Sequence, residues 1–231
     1  MKTEDKTPVQ RVRLAVFGIP NVGKSALTVR YLTRRYIGEY RSKTDLLYRQ
    51  TISLDSNLLD VEIVDISMET DDDFPTEQIQ WADSCLIVYS ITDRDSFDYA
   101  KKALGNLKSL QNGPSAYLIA NKCDLDHLRT VSESEGASLA AQYSVEFCEV
   151  SVADNTPNLY KTFERILNDS KGRPVKQRKF SVSKMIGTLI GTSETKPNPL
   201  NSGTMVPCCK EELHKSRTKT RRHGFIATAS L

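Results

Sequence analysis

The chain has 231 residues, of which 39% are hydrophobic, and its formal net charge is +3. This length accommodates one or two domains, and the apolar fraction is ordinary for a protein with a packed core. No run approaches the roughly 18 apolar residues of a membrane-spanning helix, so we expect none. The polar N-terminus does not resemble a secretion signal, and the five cysteines include no Cys-x-x-Cys pair. We therefore expect reduced thiols and a cytoplasmic protein.

The small net charge conceals an asymmetry along the chain. Residues 171–231 carry 13 Lys and Arg against 3 Asp and Glu, so the remainder is acidic. The last segment is also rich in Gly, Pro, Ser and Thr, a composition that favours disorder. We predict a flexible N-terminus at 1–10, one folded domain at 11–170, and a basic, mostly disordered tail at 171–231.

The first predicted strand, residues 12–17, leads into a phosphate-binding loop. Gly18 to Ser25 fits the pattern G-x-x-x-x-G-K-[ST] without a mismatch, and a helix is predicted from Lys24 onward. Glycines let the backbone N–H groups approach phosphate, the lysine supplies a positive charge, and the serine hydroxyl suits Mg²⁺. A glycine-containing turn that binds nothing is the alternative. The predicted binding residues of this region are Gly18, Asn21, Val22, Gly23, Lys24, Ser25 and Ala26.

The rest of the domain alternates between strand and helix patterns. A predicted hairpin joins strands at 46–54 and 59–65, and the polar segment 66–80 predicts a loop. The remaining predicted strands are 85–91, 116–120 and 145–150, and the remaining helices are 96–110, 132–143 and 155–168. Such alternation indicates a doubly wound α/β fold with a mostly parallel sheet.

The tetrapeptide Asn121-Lys122-Cys123-Asp124 indicates which nucleotide would bind. It directly follows a predicted strand, where ligands dock on α/β sheets. The carboxylate of Asp124 can accept hydrogen bonds from the ring N–H and the exocyclic amine of guanine, a donor pair that adenine lacks. Asn121 can bond the base, and the stem of Lys122 can cover its plane. An adenine-nucleotide protein would leave this motif unused.

With both motifs in place, residues 11–169 resemble the Ras-type small GTPases, in particular the branch of the Ras-related oestrogen-regulated growth inhibitor. The stretches GKSALTVRYLTRRYIGEY, WADSCLIVYSITDRDSF and ANKCDLDHLRTVS carry the resemblance. It implies a six-stranded, mostly parallel sheet flanked by five helices, with GTP or GDP and Mg²⁺ as ligands. It also implies that Tyr36 packs on guanine, that Ser151 and Val152 lie in the loop behind the base, and that Asp65 contacts Mg²⁺ through water.

Two segments depart from the family pattern. Where the family has a threonine that binds Mg²⁺ and the γ-phosphate, gapless alignment puts Lys43, with Thr44 one residue later. The family's Asp-Thr-Ala-Gly-Gln reads Asp-Ile-Ser-Met-Glu at 65–69. Met68 therefore replaces the glycine that senses γ-phosphate, and Glu69 replaces the glutamine that orients the attacking water. The groups for γ-phosphate chemistry are altered, whereas those for guanine and the inner phosphates are intact.

Three functions remain open at this stage. The first is a Ras-like signalling protein that binds GTP and GDP and hydrolyses GTP slowly. The second is a competent GTPase switch assisted by an activating protein. The third is a non-enzymatic interaction protein that acts through its basic tail. We expect a monomer with no nucleic-acid partner; the effector and regulatory proteins are not indicated by the sequence.

The tail offers signals for membrane association. We expect no prenylation, because the fourth residue from the end, Thr228, is not cysteine, but Cys208 and Cys209 are candidates for palmitoylation, and basic residues cluster at 217–222. Such a cluster attracts an anionic membrane surface. Ser181 follows basic residues and is a candidate phosphorylation site that would weaken this attraction. The alternative is a solvated tail with incidental thiols.

Overall fold

The computed structural model describes residues 10–36, 44–55, 57–68, 74–154 and 156–171, together with the backbone of 204–208. The described residues form one twisted sheet with helices packed against it. The predicted α/β architecture is thereby confirmed. The predictions for Lys43, Glu69, Ser181 and the basic cluster at 217–222 lie outside the described residues.

The sheet contains seven strands in the spatial order β6-β5-β4-β1-β3-β2-β7. Strands β1, β3, β4, β5 and β6 run parallel, whereas β2 pairs antiparallel with β3 on one side and with β7 on the other. The strands are β1 (Gln10–Phe17), β2 (Asp45–Leu54), β3 (Asn57–Asp65), β4 (Ser84–Ser90), β5 (Ser115–Asn121), β6 (Glu146–Val150) and β7 (Thr204–Cys208). The six strands from β1 to β6 match the predicted set.

Five α-helices connect the strands, and local signals in the sequence explain where several begin. They are α1 (Lys24–Thr33), α2 (Thr76–Trp81), α3 (Arg94–Lys108), α4 (Glu133–Tyr143) and α5 (Pro157–Ser170). The side chain of Asp93 accepts from the N–H of Ser96 at the start of α3, and Ser132 with Glu135 forms a reciprocal capping box at α4. Pro157 occupies the first turn of α5, where its missing N–H has no intrahelical partner to lose.

The hydrophobic core lies on both faces of the sheet, because helices cover both. Every residue of β4 is buried, which explains its nearly continuous apolar sequence. On one face, the rings of Tyr31 in α1 and Phe163 in α5 stack with centroids 4.0 Å apart. Such packing fixes α1, and with it the loop that precedes α1, against the sheet.

One expectation from the sequence needs correction, and one strand is additional to the predicted set. The segment 66–80 is not wholly a loop, because α2 begins in it at Thr76 and buries Ile79 and Trp81. This helix has only six residues. That is too few for the spacing of its apolar residues to indicate a helix within a polar segment. The tail also contributes β7, which the sequence did not predict.

Candidate functional site

A cavity of about 550 Å³ opens at the carboxyl edge of the parallel strands. Because parallel strands end at the same edge, the loops after β1, β3, β5 and β6 converge there. The volume falls within the range of small-molecule sites. The cavity is lined by Pro20, Asn21, Gly23, Lys24, Ser25, Ala26, Tyr36, Thr44, Asp65, Ile66, Ser67, Met68, Asn121, Lys122, Asp124, Leu125, Val152 and Ala153.

The two glycines of the phosphate-binding loop are required by close contacts. A Cβ on Gly18 would lie 2.1 Å from the carbonyl oxygen of Val88, and one on Gly23 would lie 2.3 Å from Nδ2 of Asn121. Gly23 also has φ of +97°, which favours glycine, and Asn21 adopts φ of +66°. The loop therefore packs tightly against Val88 of β4 and Asn121 at the end of β5, with its last residues at the N-terminus of α1. A helix N-terminus favours an anion.

Lys24 is held inside this loop by the loop's own carbonyl groups. Its Nζ donates to the carbonyl oxygens of Gly18, at 2.8 Å, and Ile19, at 3.0 Å. Burial lowers the pKa of Lys24, while the nearby carboxylates of Asp65 and Asp45 act to raise it. The ammonium group is thus fixed at the cavity wall by these two acceptors, and the two carboxylates place negative charge near it.

A hydroxyl and a carboxylate meet beside the lysine. The hydroxyl of Ser25 donates to Oδ2 of Asp65, at 2.5 Å. Burial raises the pKa of the Asp65 carboxyl, whereas the hydrogen bond from Ser25 and the charge of Lys24 lower it. These oxygens come from α1 and from the end of β3, and Thr44 lines the same cavity. They are the oxygen ligands that Mg²⁺ prefers.

Among the described residues, no group of three or more His, Cys, Asp or Glu side chains could hold a metal ion on its own. Mg²⁺ usually binds proteins through one or two carboxylates together with substrate phosphates. The donor set of Ser25, Thr44 and Asp65 therefore fits an ion that arrives with phosphate, and it is too small for a cage made only of protein ligands.

Asn121 ties together the loops on either side of the cavity. Its Nδ2 donates to the carbonyl oxygen of Val22, at 2.8 Å, and its Oδ1 accepts from the N–H of Val152, at 3.2 Å. Lys122 follows in the left-handed region, with φ of +69°, which is uncommon for a residue other than glycine. This backbone conformation turns the chain into a short 3₁₀ helix, Cys123–Leu128, with the exposed Asp124 at its start.

A sequence profile of the Ras family matches residues 13–171. The chain belongs to the Ras family. It is 36% identical over 190 residues to the Ras-related and estrogen-regulated growth inhibitor-like protein of Bos taurus, covering 78% of this chain and 93% of that protein. It is also 36% identical over 171 residues to the human Ras-related and estrogen-regulated growth inhibitor, covering 73% and 85%. The Ras-like protein family member 11B of Danio rerio is 34% identical over 171 residues, covering 68% of each chain.

Family membership confirms the resemblance found in the sequence. This chain is a Ras-family small GTPase with a phosphate-binding loop, and the family implies binding of guanine nucleotide. In the described part of the chain, no helix is both long enough and apolar enough to span a membrane.

The structure gathers most of the nucleotide-site residues that the sequence indicated for this Ras-family domain. Three of them, Gly18, Val22 and Ser151, do not line the cavity and lie behind it. Val22 and Ser151 are fully buried, and the hydroxyl of Ser151 accepts from the N–H of Asp154. Tyr36 lines the cavity with 49% of its surface exposed, so its ring is accessible at the rim.

Met68, predicted to replace the family's γ-phosphate-sensing glycine, is a core residue that also lines the cavity. Met68 is only 6% exposed, and its Sδ accepts a hydrogen bond from the hydroxyl of Tyr99, at 3.3 Å. Because Tyr99 belongs to α3, this contact anchors the loop after β3 to a helix. The methionine therefore fills space that a glycine would leave open.

Asp45 is a site residue that the sequence did not reveal. Its carboxylate is 1% exposed and accepts from the N–H of Ser67, at 2.9 Å, and from Nε2 of Gln78, at 2.8 Å. It therefore joins the start of β2 to the loop after β3 and to α2. These partners are 22 and 33 residues away, so no local pattern could have shown them. The only hint was a charged residue beside an apolar strand.

Proposed function

We propose that this Ras-family protein binds GTP and GDP with Mg²⁺ in the cavity and hydrolyses GTP slowly, as a signalling module. The observation that carries the proposal is the contrast within one cavity. Its guanine and inner-phosphate groups match the family motifs, whereas Met68 fills the position of the sensing glycine.

The guanine end of the proposed site comprises Asp124, Lys122, Asn121 and Tyr36. The exposed carboxylate of Asp124 is available to accept from guanine, and Lys122 and Tyr36 line the cavity where they could cover the faces of a base. Asn121 already uses one amide N–H and its oxygen to hold the neighbouring loops. We therefore assign it mainly a positioning role, with one N–H left for other acceptors.

The phosphate end of the proposed site comprises the loop from Gly18 to Ser25. Lys24 would exchange its bonds to the carbonyls of Gly18 and Ile19 for bonds to phosphate oxygens, since Lys24 itself lines the cavity. Ser25, Asp65 and Thr44 are the residues that would hold Mg²⁺. When bound, Mg²⁺ supplies positive charge that neutralises the phosphates. Burial raises the pKa of the Asp65 carboxyl, and the positive charges of Lys24 and of a bound Mg²⁺ would oppose that rise.

The slow hydrolysis follows from the altered γ-phosphate end. Met68 is committed to the core and to Tyr99, so its loop is restrained near the cavity. Glu69 would bring a carboxylate towards an already anionic transition state instead of a neutral amide that orients water. Both substitutions remove groups on which Ras-type hydrolysis depends.

Single-turnover hydrolysis tests this proposal. The full chain is loaded with GTP labelled at the γ-phosphate, and phosphate release is followed with Mg²⁺ and no activator. We expect a rate of about 10⁻⁵ s⁻¹ or slower, clearly below the roughly 3–5 × 10⁻⁴ s⁻¹ of an unassisted Ras-type site. A rate of about 3 × 10⁻⁴ s⁻¹ or above would instead favour a competent GTPase switch. Failure to load any guanine nucleotide would favour an interaction protein without this chemistry.

We also propose that the basic tail brings the protein to anionic membrane surfaces from the cytoplasm. The support is the charge of residues 171–231 and the cluster at 217–222. Sedimentation of the full chain with vesicles tests it. Binding should require anionic lipid, weaken in high salt and weaken again on phosphorylation of Ser181. Equal binding to neutral and anionic vesicles would contradict it.

A further inference from the structure

The tail returns to the domain as the outermost strand of the sheet. Residues 204–208 of β7 pair antiparallel with residues 45–49 of β2, from Thr204 opposite Arg49 to Cys208 opposite Asp45. Without β7, β2 would form the edge of the sheet. An unpaired edge presents a row of free N–H and C=O groups that accept another extended segment.

The sequence of β7 determines how its backbone can bond to β2. Residues of an antiparallel strand direct their N–H and C=O groups alternately towards the partner and away from it. Pro207 has no N–H, and proline is tolerated on an outer strand where that position faces solvent. We therefore place the backbone groups of Pro207 away from β2. By the alternation, those of Met205 also face away, and those of Thr204, Val206 and Cys208 face β2.

The paired part of β2 leads directly to the cavity. Asp45, opposite Cys208, holds Ser67 and Gln78 through its buried carboxylate. Thr44, the residue before Asp45, and Ser67, whose N–H donates to Asp45, both form part of the cavity wall. A strand that fixes the backbone at Asp45 therefore also restrains the loop after β3.

We propose that the edge of β2 is a strand-acceptor surface occupied in cis by residues 204–208, and that this docking slows nucleotide release from the cavity. The second half of the proposal rests on the proposed function, whereas the first half does not. Docking and nucleotide binding restrain the same loops, so each would strengthen the other. An extended segment of another protein could engage β2 only after displacing β7.

Two proline variants of the full chain test the docking. Val206→Pro removes an N–H directed towards β2, whereas Met205→Pro places proline at a position equivalent to that of Pro207. Hydrogen exchange is measured on the amides of β2 at residues 45–49. We expect exchange about tenfold faster or more in Val206→Pro than in Met205→Pro, because only the former breaks the ladder. Equal exchange in both variants and the wild type would overturn the docking.

A concentration series identifies the source of the strand. Docking in cis predicts that the β2 amides are protected from hydrogen exchange to the same degree at every protein concentration. It also predicts that the protein elutes from gel filtration as a monomer. Protection that appears only at high concentration would show that the strand comes from a second copy, and it would overturn docking in cis.

Release of fluorescent GDP tests the coupling to the cavity. We expect release severalfold faster from Val206→Pro than from Met205→Pro. Equal release, with lost protection of β2 in Val206→Pro, would overturn the coupling. If no variant binds guanine nucleotide, the proposed function fails, while hydrogen exchange still decides the docking.

Discussion

The residues at one end of the cavity match the Ras-family motifs, whereas residues at the other end differ from them. At one end, Gly18 and Gly23 have no room for a side chain, and Asn121 braces two loops. At the other end, Met68 replaces a glycine and binds to Tyr99 of α3. Under the proposed function, holding a nucleotide and responding to its γ-phosphate are separable properties of this fold. One can change while the other keeps its geometry.

The largest expected effect comes from the guanine end. Asp124→Asn replaces an acceptor with a donor, so guanine loses its partner and xanthine gains one. We expect GDP affinity to fall by about a thousandfold or more, as in sites that lose a required hydrogen-bonding group, and XDP affinity to rise. Titration with both nucleotides measures the change. Asp126→Asn is the matched control, since Asp126 is exposed and bonds Arg129. Unchanged GDP affinity in Asp124→Asn would disprove the assignment.

The phosphate-binding loop should be equally intolerant of a single methyl group. Gly23→Ala places a Cβ 2.3 Å from Nδ2 of Asn121, at a φ that favours glycine. We expect the free energy of unfolding to fall by about 2 kcal/mol and nucleotide loading to fall with it. Urea unfolding measures the first quantity. Gly105→Ala in α3 meets only Tyr143 at 3.6 Å, so it should be neutral or stabilising by up to about 1 kcal/mol.

The γ-phosphate end should instead gain activity on substitution. The double variant Met68→Gly with Glu69→Gln restores the family residues, and we expect single-turnover hydrolysis to rise about tenfold. Loss of the packing of Met68 should lower thermal stability at the same time, because a buried side chain is removed together with its hydrogen bond from Tyr99. Glu77→Gln, at an exposed position of α2, is the control. No increase in hydrolysis, in a variant that still loads GTP, would show that other residues limit the reaction.

The smallest expected effect concerns the charge of Asp65. Burial raises the pKa of its carboxyl in the folded protein, so the folded state binds its proton more tightly than the unfolded state. Asp65 therefore lowers the free energy of unfolding as the pH rises from the ordinary carboxyl pKa of the unfolded state to the raised pKa of the folded state. At neutral pH, Asp65→Asn should raise the melting temperature of the nucleotide-free protein by a few degrees, which corresponds to about 1 kcal/mol in the free energy of unfolding.

The same substitution should weaken GDP binding that depends on Mg²⁺. Melting curves at pH 5 and pH 7.5, with and without GDP and Mg²⁺, separate the two effects. The gain in stability over the wild type should be smaller at pH 5, where the native carboxyl is closer to being protonated. A variant that is less stable than the wild type without nucleotide would show that the carboxylate is needed for folding.

Most of the fold could be predicted because its signals are local. The apolar run of β4 and the capping box at Ser132 each lie within a few residues of sequence, and the phosphate-binding loop is a contiguous motif. Helix α2 was missed because it is short and lies in a polar segment. Strand β7 was missed because its partner lies far away in the sequence, and a five-residue extended segment has no pattern of its own.

The candidate site shows the same division. Its contiguous motifs gave Lys24, Ser25 and Asp124, whereas Asp45 depends on pairing across 22 and 33 residues. The bracing role of Asn121 could not be predicted either, because both of its partners come from loops that only the folded sheet brings together. Motifs therefore indicate which groups contact a ligand, while the fold determines which groups support them.

The most direct test is the identity of the nucleotide that the protein retains. The full chain is loaded with GTP and Mg²⁺, separated by gel filtration, held for an hour at 25 °C and then denatured, and the released nucleotide is analysed by ion exchange. Our account predicts close to one guanine nucleotide per chain, most of it still GTP. Recovery of protein without nucleotide, or with GDP alone, would contradict it.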